Sequence, residues 1–193
     1  MILPIVAYGD PVLKKVGVEI EKDDADVKKL IADMFETMYA ARGVGLAAPQ
    51  IGKSIRLFIV DAAPFAKDEE YKEDLKGEFK KVFINPSILE ESGEKWKFNE
   101  GCLSIPDIRY DIERKPEVLI KYQDEKFQWQ EEKFVGIIAR VIQHEFDHIE
   151  GKLFVDHIGP LQKRLLAKRL LAISKGEVDV DYKMRFPIRQ KRR

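Results

Sequence analysis

The spacing of apolar residues along the chain predicts three helices, and the first spans residues 24–42. An apolar residue recurs there every three or four positions, which is the period of one helix face. The residues of this face are Val27, Leu30, Ile31, Met34, Phe35 and Met38. Asp23, Asp24 and Asp26 suit the start of the helix, and Gly43 suits its end. We expect the apolar stripe to pack in the core.

Two further helices are predicted in the second half of the chain. Residues 134–150 are apolar almost all round, a pattern typical of a helix at the centre of a protein. The apolar residues are Val135, Ile137, Ile138, Val141, Ile142, Phe146 and Ile149. Residues 161–174 are amphipathic, with basic residues opposite the apolar face. That face consists of Leu161, Leu165, Leu166, Leu170 and Ile173.

Shorter apolar or alternating runs predict strands between these helices. They cover residues 55–60, 82–84, 94–98, 118–122 and 126–130. In the last run Phe127 and Trp129 fall on one face. Residues 62–81 are rich in Lys, Glu and Asp and predict a solvent-exposed excursion. Together the elements indicate an α+β fold, in which the second helix packs against antiparallel or mixed sheets and the other two helices lie outside.

Composition narrows the class of protein. The 193 residues suit a single domain spanning residues 1–193, and 45% of them are hydrophobic. Lys+Arg and Asp+Glu are equal at 34 each, which argues against a dedicated nucleic-acid or membrane-surface protein. No apolar run approaches the ~20 residues that span a bilayer, and the apolar amino terminus is too short for a signal peptide. One cysteine, Cys102, excludes an internal disulfide. We therefore expect a cytoplasmic protein.

The balanced charge conceals a local asymmetry. Residues 160–193 contain eleven Lys or Arg against three acids, a net charge of +8, so residues 1–159 carry −8. Such a basic carboxy-terminal helix and tail suits docking to an anionic partner. The alternative is a solvated helix face followed by a charged terminus.

The central predicted helix carries a His-Glu-x-x-His motif. His144 and His148 lie four residues apart, so both imidazoles point at one ion from the same helix face. Glu145 sits roughly 100° around the axis, where it faces metal-bound water rather than the metal. Ionised groups on so apolar a helix need partners, because burying an unpaired carboxylate costs several kcal/mol. The alternative is that both histidines are hydrogen-bonded core residues.

A catalytic site of the zinc type needs a third protein ligand. The candidates are His157, Cys102 and several carboxylates. Gly151 fits the long zincin pattern, but position 154 is Phe where that pattern needs His, so we expect His157 to be structural. Cys102 follows Gly101 in a constrained turn or strand end, although a lone cysteine is usually a small buried hydrophobe.

Three segments together resemble the signature motifs of peptide deformylase. They are Gly43-Val44-Gly45-Leu46-Ala47-Ala48-Pro49-Gln50, Glu100-Gly101-Cys102-Leu103-Ser104 and Gln143-His144-Glu145-Phe146-Asp147-His148. The resemblance covers roughly residues 1–160 and suggests the bacterial type with a helical carboxy terminus. It implies a hydrolase that removes the formyl group from the N-terminal formyl-methionine of nascent polypeptides.

The resemblance also implies roles for individual residues. Cys102, His144 and His148 bind a divalent metal, natively Fe²⁺, with Zn²⁺, Ni²⁺ or Co²⁺ possible in preparations. Glu145 is the general base and acid. Gln50 and the backbone N–H of Leu103 stabilise the oxyanion.

Substrate-binding residues follow from the same resemblance and from helix spacing. Gly43 and Gly45 let the backbone approach the formyl group, and Val44 closes one side of the methionine pocket. Gly101 also binds substrate, and Arg109 lies at the entrance. Ile137 and Val141 continue the ligand face of the helix and form the methionine pocket.

The predicted central helix also carries two charged residues, Asp147 and Arg140. Asp147 is predicted to pair with Arg114 and so support the ligands, or else to form an ordinary surface salt bridge. Arg140 replaces an aliphatic residue that the family often has. It either reaches the mouth of the pocket or faces the surface.

Two other functions remain open from the sequence. An endopeptidase of the His-Glu-x-x-His class is disfavoured by the cysteine motif and by Phe154. A ribosome-binding or metal-storage protein without enzymatic activity would usually have lost Glu145 or Gln50, and both are present.

Overall fold

The computed structural model describes residues 1–21, 26–67, 71 and 79–187, and it contains the three predicted helices. They are α1 (Val27–Ala40), α2 (Gly136–Ile149) and α3 (Pro160–Ser174). The predicted apolar stripe of α1 is confirmed, because most of it is buried in a core cluster. Asp26 directly precedes α1, whereas Asp23 and Asp24 lie outside the described residues.

Nine strands accompany the helices in the described part of the chain. They are β1 (Ile5–Val6), β2 (Gly45–Ala47), β3 (Leu57–Asp61), β4 (Lys80–Ser92), β5 (Trp96–Cys102), β6 (Ile105–Arg114), β7 (Glu117–Gln123), β8 (Trp129–Val135) and β9 (Met184–Arg185). The main sheet has the order β2-β3-β4-β7-β8, and each neighbouring pair is antiparallel. Strands β5 and β6 form a separate antiparallel hairpin, and β9 pairs in parallel with β1.

Helix α2 packs on the main sheet and is the centre of the molecule, as predicted. It contacts β2, β3, β7 and β8. Ile137, Ile142 and Ile149 are each fully buried, and burial of such side chains contributes roughly 1.5–3 kcal/mol each to folding. This packing fixes the axis and rotation of α2, and therefore the direction in which its polar residues point.

The strand predicted at residues 126–130 is wrong in its first three residues, whereas Trp129 and Gln130 belong to β8. Asp124 accepts the backbone N–H of Lys126 and of Gln128, and Phe127 adopts a positive φ of 57°, so these residues form a turn. Strand β8 begins at Trp129 and continues to Val135. The second helix was predicted to start at residue 134 but starts at Gly136. An aspartate that bonds two residues onward is a turn signal, and it prevails over the alternating pattern.

The predicted apolar face of α3 is wrong in its first half. Leu161 is 67% exposed and Leu165 is 75% exposed, whereas Leu170 and Ile173 are buried. The helix therefore packs through Leu166 and its carboxy-terminal half, whereas its first turns are exposed. None of the helices in the described part of the chain combines the length and apolar character needed to cross a bilayer.

The charged segment predicted at residues 62–81 is only partly described. Ala63–Lys67 forms a 3-10 helix, and β4 begins at Lys80. Residues 68–70 and 72–78 lie outside the described residues.

Candidate functional site

The structure brings together one cysteine and two histidines from distant parts of the sequence. The ligand atoms of Cys102, His144 and His148 lie within 4.8 Å of one another, and Cys102 Sγ lies 3.3 Å from His148 Nε2. The two imidazoles come from successive turns of α2, with ring centroids 5.1 Å apart. Among the described residues, these three side chains have ligand atoms close enough together to hold one metal ion.

The hairpin of β5 and β6 positions the cysteine. The register shifts between Gly101 and Cys102, so that Cys102 pairs with Ile105 across a turn formed by Leu103 and Ser104. Burial acts to raise the pKa of the Cys102 thiol, but the neighbouring His148 and His144 outweigh it and lower that pKa to about 5. The sulfur is therefore a thiolate near neutral pH, which is the form that binds metals.

Glu100 connects the cysteine strand to the histidine helix. It lies two residues before Cys102 in β5. Its Oε2 lies 2.9 Å from His144 Nδ1, and Arg114 donates to both carboxylate oxygens at 2.8 and 3.1 Å. Burial opposes ionisation of Glu100, but the bonds from His144 and Arg114 keep its pKa well below the usual value. The contact holds Nδ1 and leaves Nε2 of His144 available to a metal.

This role of Glu100 was missed by the sequence reasoning, which considered it only as part of a motif. Its partners His144 and Arg114 lie far from it in the sequence, so no local pattern signals these contacts. The predicted pair of Asp147 and Arg114 is confirmed, because Arg114 donates to Asp147 Oδ2 at 2.7 Å. The bridge is buried, with the Arg114 side chain 6% exposed, so the surface alternative is wrong.

His157 lies outside the metal cluster and contacts Asp147. Its Nε2 lies 2.7 Å from Asp147 Oδ2, in the short segment that follows α2. It is not among the clustered ligand atoms of the described residues. Its contact is with the carboxylate that binds Arg114, in agreement with the predicted structural role.

The surface-facing alternative for Arg140 is wrong, because the residue is 2% exposed. Arg140 is among the residues that line the cavity. Its guanidinium donates to Glu100 Oε1 and to the backbone carbonyls of Ile112 and Trp96, at 2.7–3.0 Å. It also lies over the Trp96 ring, 4.5 Å from the centroid. A buried arginine is tolerated here because one carboxylate and two backbone carbonyls accept its hydrogen bonds.

Glu145 follows His144 on α2 and also lines the cavity. It is 4% exposed, and its Oε2 has no hydrogen-bond partner among the residues described here. Burial, the largest effect, raises its pKa to about 7. A Cβ added to Gly45 would lie 2.5 Å from Glu145 Oε1, so the close approach of β2 to this carboxylate requires glycine.

Gln50 lies on the opposite wall. Its Oε1 accepts the backbone N–H of Ala47 at 2.8 Å, which turns its amide group toward the cysteine loop. Nε2 lies 3.5 Å from Cys102 Sγ and 3.4 Å from Ser104 Oγ. The contact with Ser104 Oγ is long for a hydrogen bond to oxygen, so the amide donor on that side remains available to a ligand.

These residues surround a cavity of about 880 Å³. Most of the sequence-predicted site residues line it: Gly43, Val44, Gly45, Gln50, Gly101, Cys102, Leu103, Arg109, Val141, His144 and Glu145. Two of them are not among the described lining residues. His148 is buried behind the thiolate at 1% exposure, and Ile137 is fully buried in the core that supports α2.

The donor set fits a divalent metal. A thiolate and two neutral imidazoles are the ligands of many tetrahedral catalytic sites, with one position left for water. The unpartnered oxygen of Glu145 lies beside this set, where it is suited to a hydrogen bond from such a water. Because Glu100 fixes one imidazole and the helix fixes both, the ligands are held in place by the fold itself.

Comparisons with known proteins agree with this geometry. The family model described as Polypeptide deformylase matches residues 2–164. The peptide deformylase of Christiangramia forsetii is 55% identical, and that of Flavobacterium johnsoniae is 56% identical, each over the full length of both chains. The crystal structure of a peptide deformylase from Legionella pneumophila is 38% identical, with a TM-score of 0.76, over 88% of this chain and 94% of that one. The chain therefore belongs to the polypeptide deformylase family of metal-dependent hydrolases.

Proposed function

We propose that this protein hydrolyses the N-terminal formyl group of formyl-methionyl nascent polypeptides and releases formate. The observation that carries the proposal is the buried carboxylate of Glu145 beside the cluster of Cys102, His144 and His148, in one cavity. In the reaction the formyl C–N bond breaks, the carbon gains the oxygen of water, and the freed amine gains a proton. We take residues 1–193 as one catalytic domain.

Cys102, His144 and His148 would hold the divalent metal. When bound, the ion lowers the pKa of a water ligand and polarises the formyl oxygen. We propose Fe²⁺ as the native ion and Zn²⁺, Ni²⁺ or Co²⁺ as substitutes. The mixed thiolate and imidazole set supports this range, because such ligands bind each of these metals.

Glu145 is the proposed general base and acid. It takes a proton from the attacking water and later delivers it to the leaving amine. A pKa of about 7, raised by burial, supports both steps near neutral pH. The contact with Gly45 limits the positions that its carboxylate can take.

Gln50 and the backbone N–H of Leu103 are the proposed donors to the developing oxyanion. Donors aimed at that oxygen before the reaction begins contribute strongly to catalysis. The bond from Ala47 to Gln50 supports this role, since it fixes the orientation of the side-chain amide.

The methionine side chain is proposed to bind between Val44 and Val141, which both line the cavity. Ile137 supports Val141 from the core rather than touching the substrate. Gly43 and Gly101 leave room for the substrate backbone. Arg109 is held at the entrance by bonds to Asn99.

A docking role for residues 160–193 follows from their charge. We propose that this basic segment binds the ribosome, so that the enzyme acts in the cytoplasm where nascent chains emerge beside anionic RNA. The exposed basic side chains of α3 support the proposal, whereas residues 188–193 lie outside the described residues. Pelleting with ribosomes tests it. Equal recovery of the intact protein and a variant with Arg164, Lys168 and Arg169 changed to Gln would contradict it.

The main proposal is tested by formate release from a formyl-Met peptide under nitrogen. Metal-loaded wild type should release formate, and E145Q should lose at least about 10²-fold in kcat. E113Q is the matched control, because Glu113 is exposed on β6 and away from the cavity. No formate from the wild type would contradict the proposal. Cleavage of casein instead would favour an endopeptidase.

A further inference from the structure

The chain returns to the cavity after α3. Residues 179–182 line the same cavity as the metal cluster, and the chain then enters β9. Strand β9 is anchored by its parallel pairing with β1, where Ile5 N–H donates to Lys183 O at 2.8 Å. The family model ends at residue 164. This wall of the cavity is therefore built by a part of the chain that lies beyond the matched region.

Tyr182 connects this wall to the cysteine loop. Its hydroxyl donates to the backbone carbonyl of Leu103 at 2.8 Å. Burial raises the pKa of Tyr182 to about 12, so the proton stays available for donation. The next carbonyl, that of Ser104, accepts the backbone N–H of Tyr8 at 2.8 Å. Both peptide planes of the turn after Cys102 are thus held from outside the hairpin.

Asp181 connects the same wall to the other loop of the site. It pairs with Arg42, which directly precedes Gly43 and has a positive φ of 56°. The two loops also touch, because a Cβ added to Gly43 would lie 2.9 Å from Leu103 Cδ1. Residues 179–182 therefore contact both of the loops between which the substrate is proposed to bind.

We propose that residues 179–182 are part of the substrate-binding site and that Tyr182 is a positioning residue for catalysis. By holding the carbonyl of Leu103, Tyr182 fixes the Leu103–Ser104 peptide and, through the shared Cα, restricts the adjacent Cys102–Leu103 peptide that carries the Leu103 N–H. The hydroxyl of Tyr182 acts on the site through its hydrogen bond to the Leu103 carbonyl. The inference rests on the proposed function, because it assigns a support to one of the proposed oxyanion donors.

The test compares Y182F with Y39F in the metal-loaded full-length enzyme. Each variant loses one tyrosine hydroxyl and one hydrogen bond, and Tyr39 donates to Asp61 outside the cavity. Loss of an oxyanion donor itself costs about 10²–10³-fold in kcat, so loss of its support should cost about tenfold. Y182F should lower kcat of formate release by that amount and keep KM within about twofold. Metal content and the thermal midpoint should match those of Y39F.

The outcomes distinguish failure of the proposed function from failure of the positioning role of Tyr182. If the wild type releases no formate, the proposed function fails and this inference fails with it. If the wild type is active and Y182F has the same kcat, only the inference is overturned. It is also overturned if Y182F loses metal or melts well below Y39F, because its effect would then be structural. A fall in kcat confined to Y182F, with the other quantities unchanged, supports the positioning role.

Discussion

At the scale of single residues, the site depends on buried charges that satisfy one another. The Glu100 carboxylate contacts His144, Arg114 and Arg140, and each of these four side chains is at most 11% exposed. Removing one member of such a group leaves the others buried without a full set of partners, which costs more than the contact itself contributed. The metal-binding geometry and the stability of the fold therefore depend on the same residues.

Arg140 provides a direct test of this dependence. R140L leaves the carbonyls of Ile112 and Trp96 without their donor and takes one of two arginines from Glu100. We expect a loss of about 3 kcal/mol in the free energy of unfolding, measured by urea denaturation. R164L is the control, since Arg164 is an exposed arginine on α3 and its loss should change stability by less than about 0.5 kcal/mol. Equal effects of the two substitutions would contradict the role assigned to Arg140.

Gly45 tests the placement of Glu145. In G45A the new methyl group would lie 2.5 Å from Glu145 Oε1 and 2.8 Å from Cδ, so the carboxylate must move. We expect kcat for formate release to fall about 10²-fold, because a small misplacement of a catalytic group is costly. G159A is the control, since its methyl group also meets a flexible side chain, that of Gln162, but far from the cavity. Normal kcat in G45A would show that Glu145 tolerates displacement.

At the scale of elements, the sequence was informative where apolar periodicity or a motif dominates. The three helices and the buried strand β3 followed from such patterns, and so did the grouping of Cys102 with the two histidines. Strand β6 was not foreseen, because its inward-facing positions include Tyr110 and Arg114 beside the isoleucines. The exposed half of α3 was missed because periodicity shows which residues share a face and not whether a partner covers that face. Glu100 and Tyr182 act through contacts between distant segments, which one sequence does not display.

Asp156 joins three elements and makes stability depend on pH. Its carboxylate pairs with Lys14 and Lys163 and accepts the backbone N–H of Leu153. Burial opposes ionisation, but these partners lower its pKa to about 2. Because the folded pKa lies below the ordinary value of 3.8 for an aspartate, the stabilisation is present above about pH 4 and is lost as the pH falls toward 2.

The corresponding experiment compares urea unfolding of metal-free wild type and D156N. At pH 6 we expect D156N to be less stable by about 1 kcal/mol, a value reduced for the partial exposure of the side chain. Near pH 2 the two proteins should have nearly equal free energies of unfolding. A difference that stays the same at both pH values would show that Asp156 acts through shape rather than charge.

At the scale of the whole molecule, four distant segments converge on one cavity. Residues 43–50, 100–109, 140–145 and 179–182 all contribute to its lining. Helix α2 provides a rigid base because the main sheet packs against it, and the β5–β6 hairpin brings the thiolate to that base. A ligand that binds this cluster therefore connects the hairpin to the helix and stabilises the native state of the whole chain.

Metal binding should raise the thermal stability of the complete protein. Zn²⁺ is the suitable probe because it does not undergo redox chemistry. Free Zn²⁺ at 100 times its Kd would stabilise the native state by about 2.7 kcal/mol. For a domain of this size we therefore expect the thermal midpoint to rise by about 5–10 °C relative to chelator-treated protein. C102A retains both histidines but lacks the thiolate, so its midpoint should rise by much less at the same Zn²⁺ concentration. Equal rises in wild type and C102A would mean that Zn²⁺ binds elsewhere, and the assignment of Cys102 as a ligand would fail.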